Sequence, residues 1–469
     1  MKASWIKIVT LFVLTAMLLT SAGLAEAVDL SAIDWNARYT YAELEAQLEA
    51  IAETYSDVTE LYPIGRTNQE RTLWCMELTN PEVDEDDKTG IAVVANIHGG
   101  ERESASSAMY FAWWLATESA TEQVQQILDN YVVYIVPVIN PDGYEQSFIY
   151  NTRQNLRPRD LNGDGTAFSD PYTDIDGDGY IATLYRGTAD EQPDRKTTAS
   201  FGMESPDWDG NGILGDDPRN SGIDMNRTFD YQWNRFDVET VETGVIGANA
   251  WKSAGTAPAT EPEVKAIQNF LLNNEIDALA TLHTGIQCVL YPWCYRAYDP
   301  ELDSDDIPYM QGVAAEMAAA FQETTGRGFY SMSSYEDYPT SAELIDYAYG
   351  RLNIHAYTIE VYSGGKSADG SIEACKWENT LPEEKWVFYT QDELAELGLD
   401  PAAITDSEGN GLAEGEGLWF YTGSTAQMVD KAPEDQATMV QGCRDALLVM
   451  IASEPYGQGY TKPEYLDWN

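Results

Sequence analysis

Four strand-length runs, residues 91–97, 131–139, 276–282 and 357–361, are each too apolar to lie half exposed. A strand with one wet face alternates apolar with polar residues, so runs of this kind predict strands covered on both faces. Helical stretches lie between them. Residues 103–116 are rich in Ala and Trp, and residues 308–325 end at Gly326. Leu44, Leu48 and Ile51 recur at helical spacing behind Thr40-Tyr-Ala-Glu43, which reads as a capping box. Thr260-Glu-Pro-Glu263 reads as a second one, and a last helix is expected over residues 433–453. Strands alternating with helices predict an α/β fold with a mixed, largely parallel twisted central sheet flanked by helices.

Lys2 and Lys7 flank the start of an apolar run over residues 8–19, and the small-residue site Ala25-Glu26-Ala27 follows. This pattern predicts a secretory signal peptide over residues 1–27 and a secreted, extracellular product. No later stretch approaches the roughly 20 apolar residues of a spanning helix, so membrane insertion is not expected. One folded domain is expected over residues 28–455, packed from about residue 36, followed by a tail over 456–469. Two regions break its alternation: 159–222, rich in Asp, Gly and Asn, and 376–425, acidic and loop-like. Acidic residues number 78 against 27 basic, a formal charge of −51, which argues by repulsion against nucleic acid and anionic lipid as partners. Cys75, Cys288, Cys294, Cys375 and Cys443 are odd in number and widely spread, which is no disulfide framework, with a single bridge left open. Nothing in the sequence specifies an oligomeric state.

His98 and His283, two of three histidines, stand immediately beyond the C-terminal ends of expected buried strands, where α/β sheets place their sites. In His98-Gly-Gly-Glu101 the glycines make a tight turn that returns a carboxylate toward the imidazole. His98, Glu101 and His283 make the two-imidazole, one-carboxylate set of a catalytic Zn2+, with the fourth position left to water. His355 precedes a strand with no partner in view and is expected to be structural.

Further motifs stand in order along the chain: Asn140-Pro-Asp-Gly-Tyr144, Gly222-Ile-Asp-Met-Asn-Arg227, His283-Thr-Gly with Leu290-Tyr-Pro-Trp293, and Tyr338-Pro-Thr-Ser with Thr358-Ile-Glu360. With His98-Gly-Gly-Glu101, they make the chain resemble the zinc carboxypeptidase family typified by pancreatic carboxypeptidase A, over residues 36–365 and the last helix. The resemblance implies a zinc metallocarboxypeptidase acting on peptide or protein C-termini. It makes Glu360 the general base toward zinc-bound water, whose pKa the metal lowers to about 7. It gives Asn226 and Arg227 the substrate's terminal carboxylate, for which a guanidinium fork is the natural receptor. Tyr338 resembles the tyrosine that closes over the bound C-terminus. An arginine that stabilises the oxyanion is best matched by Arg153, with Arg157 and Arg159 also open. Ile345, just before Asp346, corresponds to the base of the pocket for the C-terminal side chain and implies a preference for apolar residues, with Cys294 narrowing the space. Gly100 departs from the arginine that animal members often carry.

Three hexapeptides repeat in the first interrupting region: Asp160-Leu-Asn-Gly-Asp-Gly165, Asp174-Ile-Asp-Gly-Asp-Gly179 and Asp207-Trp-Asp-Gly-Asn-Gly212. Their alternate residues, Asp160, Asn162 and Asp164, then Asp174, Asp176 and Asp178, then Asp207, Asp209 and Asn211, offer hard oxygen ligands around a glycine turn, which suits Ca2+. At least one structural Ca2+ is expected, neutralising part of a segment with little core of its own. Two competing readings are a peptidase of the same family acting on cell-wall stem peptides, and a catalytically inactive, calcium-stabilised binding protein at the cell surface. No wall-binding repeat supports the first, and the intact zinc ligands and Glu360 argue against the second.

Overall fold

A computed structural model describes residues 28–219, 222–233, 255–362, 382–424 and 435–454. The signal segment, Cys375 and the tail lie outside them. In chain order the strands are β1 (Thr59–Arg66), β2 (Thr72–Leu78), β3 (Thr89–Ala95), β4 (Tyr131–Val136), β5 (Thr183–Gly187), β6 (Ser200–Met203), β7 (Ala278–His283), β8 (Gln287–Tyr291), β9 (Tyr330–Ser333), β10 (His355–Val361), β11 (Lys385–Thr390) and β12 (Gly417–Thr422). The principal helices are α1 (Tyr41–Thr54), α2 (Arg102–Thr117), α3 (Glu122–Asn130), α4 (Pro141–Gln146), α5 (Pro262–Asn273), α6 (Asp306–Thr325), α7 (Leu344–Leu352), α8 (Gln391–Glu396) and α9 (Gln436–Ser453).

The central sheet has eight strands in the order β1-β2-β4-β3-β7-β10-β8-β9. Its middle, β4-β3-β7-β10, is parallel and corresponds to the four apolar runs. Every residue of β4 and β7 is buried, so both faces are covered, as an unbroken apolar run requires. β2 and β8 flank this core antiparallel, and α9 packs against both α2 and α6. The expected mixed, largely parallel sheet flanked by helices is therefore present.

Local signals account for most helix ends. Thr40 and Glu43 bond each other's backbone N–H in a capping box that opens α1, worth about 1 kcal/mol. Gly326 ends α6 in the left-handed conformation at φ 67°. At α5 the expected capping box is absent. Glu261 is the N-cap residue without a side-chain cap bond, and Pro262 opens the helix. The Glu263 carboxylate turns away to accept from Asn155 Nδ2 at 3.2 Å and the Asn68 backbone at 3.4 Å. Cys75, Cys288, Cys294 and Cys443 are buried free thiols, so no bridge forms among the described cysteines. His355 opens β10 and bonds Glu454 Oε1 through Nδ1 at 2.6 Å.

The second interrupting region corrects the loop-like expectation. β11 and β12 join β5 and β6 from the first region in a four-stranded antiparallel sheet ordered β11-β12-β5-β6. This sheet has its own core, including Leu184, Phe201, Leu214, Leu394, Leu418 and Phe420. β5, β6 and β11 are only partly buried and lack the unbroken apolar signature of the central strands. The three hexapeptides share one loop shape beside this sheet. In each, the last glycine has a left-handed φ of 95°, 90° or 88° and donates its N–H to the first aspartate's carboxylate.

Candidate active site

β3 and β7 deliver the candidate metal residues to one edge of the parallel core. His98 follows the end of β3 by a short turn, and His283 is the last residue of β7. Glu101, at the start of α2, lies between the two rings: its Oε1 is 2.7 Å from His98 Nδ1 and its Oε2 is 3.0 Å from His283 Nδ1. One ligand atom from each of the three residues falls within 4.8 Å of the others. Two imidazole nitrogens and a carboxylate so gathered fit the three-protein-ligand set of a catalytic zinc.

The outer ring nitrogens each face an oxygen. His98 Nε2 faces Asp224 Oδ1 at 3.3 Å, and His283 Nε2 meets Thr281 Oγ1 at 3.2 Å. Such contacts fix ring orientation and tautomer and raise ligand basicity. Burial works to raise the Asp224 carboxyl, but Arg153, Arg227 and His98 together hold it well below the usual carboxylate range. Asp224 also caps the 3-10 turn Met225–Arg227 through the Asn226 N–H, so one carboxylate ties the metal edge to the arginine turn.

Gly100 lies beside Asn151. The Asn151 side chain fills the space beside it, and a Cβ on residue 100 would lie 1.5 Å from Asn151 Oδ1. The segment continues to Arg153, whose Nε donates to Asp224 Oδ2 at 2.7 Å and whose NH1 lies 3.8 Å from Glu101 Oε1. Arg157 instead bonds Glu261 at 2.7 Å. Arg153 therefore reaches the candidate metal residues, whereas Arg157 pairs away from them.

Glu360 is the penultimate residue of β10. Its Oε2 has no hydrogen-bond partner, and it lies close to Gly285, where a Cβ would stand 3.5 Å from it. Burial raises its carboxyl well above the ordinary value, the negative charges of Glu101 and Asp337 raise it further, and Arg153 offsets part of the rise. A carboxylate held in this way is a stronger base than an exposed one.

Asn226 and Arg227 are both buried, at 4% and 3% exposure, so their polar atoms need partners within the fold. Arg227 NH2 donates to Tyr338 OH at 3.2 Å, which brings together the three residues expected to hold the substrate's C-terminus. Ile345 is buried in the first turn of α7, and Asp346 accepts from the Cys294 N–H at 2.9 Å. The sequence reading missed one neighbour. Glu343, the residue before α7, accepts from Arg227 NH1 at 2.8 Å. An acid amid Thr340, Ser341, Ala342 and Leu344 was the available signal, but its meaning depends on Arg227, far away in the chain.

The hexapeptide residues do not all gather alike. Asp174 and Asp176 of the second loop lie with the buried Glu204 in a group whose ligand atoms fall within 4.8 Å. The first and third loops meet through Asn162 Nδ2, which donates to Asp209 Oδ2 at 2.6 Å, and Asp216, just beyond the third loop, accepts from both Asn162 Nδ2 at 3.2 Å and Asn211 Nδ2 at 3.0 Å. Among the described residues no helix is long and apolar enough to cross a membrane.

Comparison with known proteins agrees with this geometry. The zinc carboxypeptidase family model matches residues 44–382. Carboxypeptidase B of Astacus astacus is 24% identical over 336 residues, covering 71% of this chain and 89% of that protein. Mast cell carboxypeptidase A of Rattus norvegicus is 22% identical over 71% of this chain, and the match spans 64% of that relative, less than two-thirds of its length. The solved carboxypeptidase A from Helicoverpa armigera is similar in fold, with a TM-score of 0.52 and 17% identity over 80% of this chain and 76% of that one. The structure of thrombin-activatable fibrinolysis inhibitor gives a TM-score of 0.50 at 20% identity, over 71% of each chain. A family match over most of the sequence, on a fold that brings His98, Glu101 and His283 together, shows that the chain belongs to the zinc carboxypeptidase family.

Proposed function

We propose that this protein is a secreted metallocarboxypeptidase that hydrolyses the last peptide bond of peptides with a free C-terminal carboxylate. The observation that carries the reading is the adjacency of two sites: the His98-Glu101-His283 cluster, and the buried Arg227 joined to it through Asp224. When bound, zinc supplies a Lewis acid and a water acidic enough to ionise near neutral pH. The chain's own residues do the rest. Arg227, with Asn226 and Tyr338, binds the terminal carboxylate and sets which bond lies at the metal edge. Glu360 accepts the proton from the attacking water and returns it to the leaving amine. Arg153, partly exposed beside Glu101, donates hydrogen bonds to the oxygen of the scissile carbonyl as charge develops there.

Secretion is supported by the basic start and apolar run of residues 1–27. Structural calcium is supported best at the second hexapeptide, where Asp174, Asp176 and Glu204 offer three carboxylates. Ile345 alone argues for an apolar C-terminal residue. The test is hydrolysis of an N-blocked dipeptide. Activity on the free acid should disappear with a chelator and return with zinc, and equal activity on the C-terminal amide contradicts an exopeptidase.

A further inference from the structure

A cleft of about 320 Å³ lies between the metal edge and the smaller sheet. Its inner wall belongs to segments that also shape the metal site. Arg102 opens α2 directly after Glu101, and Asn151, whose side chain lies against Gly100, comes two residues before Arg153. The Gly100 N–H donates to the Thr152 carbonyl at 2.8 Å, which joins these two segments. The outer wall is supplied by the smaller sheet and its connections: Tyr180, Arg195, Thr183 at the start of β5, and Tyr421, which pairs with Thr183 from β12.

The chain carries 78 acidic residues against 27 basic ones, yet the described residues lining this cleft include two arginines and no Asp or Glu. Arg195 is held in position there. Its guanidinium stacks over the Tyr421 ring at 4.3 Å, and its NH2 donates to Glu384 Oε1 at 3.0 Å. Tyr421 OH donates to the same oxygen at 2.7 Å, so ring and carboxylate fix the arginine together. Side-chain exposures of 44% and 39% make Arg195–Glu384 a weak, solvated pair. Glu384 engages one nitrogen of a planar fork whose remaining donors suit a second carboxylate.

The two sites set the direction of a bound peptide. Its terminal carboxylate pairs with Arg227, whose neighbours Glu343 and Tyr338 do not line the cleft. With the scissile bond at the metal edge, the upstream chain leaves past residues 100–102 and 151–153 and enters the cleft. The overall charge of −51 repels an acidic peptide from afar. At ~0.15 M salt, however, exposed charges more than about 8 Å apart are largely screened, so the groups at contact decide.

We propose that this cleft is a subsite for the upstream part of the substrate, in which Arg195 selects peptides carrying an acidic residue a few positions before the scissile bond. The inference rests on the carboxypeptidase reading of the site. It is tested with zinc-loaded protein and N-blocked hexapeptides that share their last two residues. Glu, Ala or Lys is placed in turn at the third to sixth position from the C-terminus, and kcat/KM is read at ~0.15 M salt. At one position or more, Glu is expected to exceed Ala by about fivefold through a lower KM, the yield of one partly exposed ion pair, with Lys slowest. R195E is expected to invert that ranking to Lys over Ala over Glu, which a mere disturbance of the fold does not produce. N-blocked dipeptides, too short to enter the cleft, read the chemistry itself. Dipeptide cleavage with no position at which Glu exceeds Ala overturns the inference while leaving the carboxypeptidase reading intact, as does an R195E variant that keeps the wild-type ranking. Failure to cleave any free-acid substrate overturns both.

Discussion

Glu360 stands directly opposite His283 in the parallel register of β10 and β7. Adjacent parallel strands end at the same edge of the sheet, so this pairing sets the proposed base beside a candidate metal ligand without any loop having to position it. It also makes the roles of the two residues separable by mutation.

E360Q should retain its zinc and lose activity. Removing a general base typically costs about 100-fold or more in kcat, while the isosteric amide leaves the β10 pairing unchanged. Zinc content measured with kcat checks both halves. Because the base works only when ionised, kcat/KM of the wild type should rise with pH through the Glu360 pKa. Burial and the Glu101 charge put that acid limb above the ordinary carboxylate value of about 4.3. Loss of zinc from E360Q, or a profile already flat from pH 4 upward, contradicts the assignment.

His283→Ala should bind no stoichiometric zinc, since it leaves two protein ligands where a catalytic site uses three. Elemental analysis after dialysis decides this. One zinc per chain retained by the variant excludes the His98-Glu101-His283 set.

Asp224→Asn should weaken zinc binding by about 10- to 100-fold without abolishing it. The carboxylate faces His98 Nε2 and binds Arg153 Nε, so its loss frees the ring and the arginine together. Competition against a chromophoric chelator measures the affinity. An unchanged affinity means that the contact with His98 does not orient the ligand.

Glu204 links pH, calcium and the smaller sheet. Burial pushes its carboxyl up to about 7, although three backbone N–H groups pull it down. A folded-state value above the unfolded one means that this acid stabilises the fold fully below about pH 4.3, and that the contribution is lost as pH rises through about 7. Calcium binds the ionised form and should offset that loss by mass action. With zinc kept saturating, proteolysis within residues 159–219 should speed up from pH 4 to pH 8 and slow again when calcium is added. Cleavage indifferent to calcium at pH 8 shows the hexapeptides to be solvated turns.

The parts of the molecule legible in the sequence were those carried by local pattern. β3, β4, β7 and β10 are buried on both faces and announce themselves as apolar runs, and the two candidate metal histidines stand where two such runs stop. β11 and β12 were not legible, because β12 pairs with β5 across more than two hundred residues and β11 is exposed or half exposed along its length. Pattern reading also failed at Thr260. There Pro262 starts the helix and Glu263 finds buried partners in Asn155 and Asn68, which outweigh a local cap. Glu343 was passed over for the same reason. Its neighbours in sequence fit the motif, while the residue that gives it meaning, Arg227, is brought to it by the fold.

The central claim is exopeptidase chemistry at a zinc centre, and mass spectrometry of a defined peptide mixture incubated with the zinc-loaded protein tests it most directly. Free-acid peptides should shorten by single residues from the C-terminus, while amidated copies of the same peptides stay intact. Internal cleavage, shortening from the N-terminus, or equal loss from the amidated copies would contradict the account.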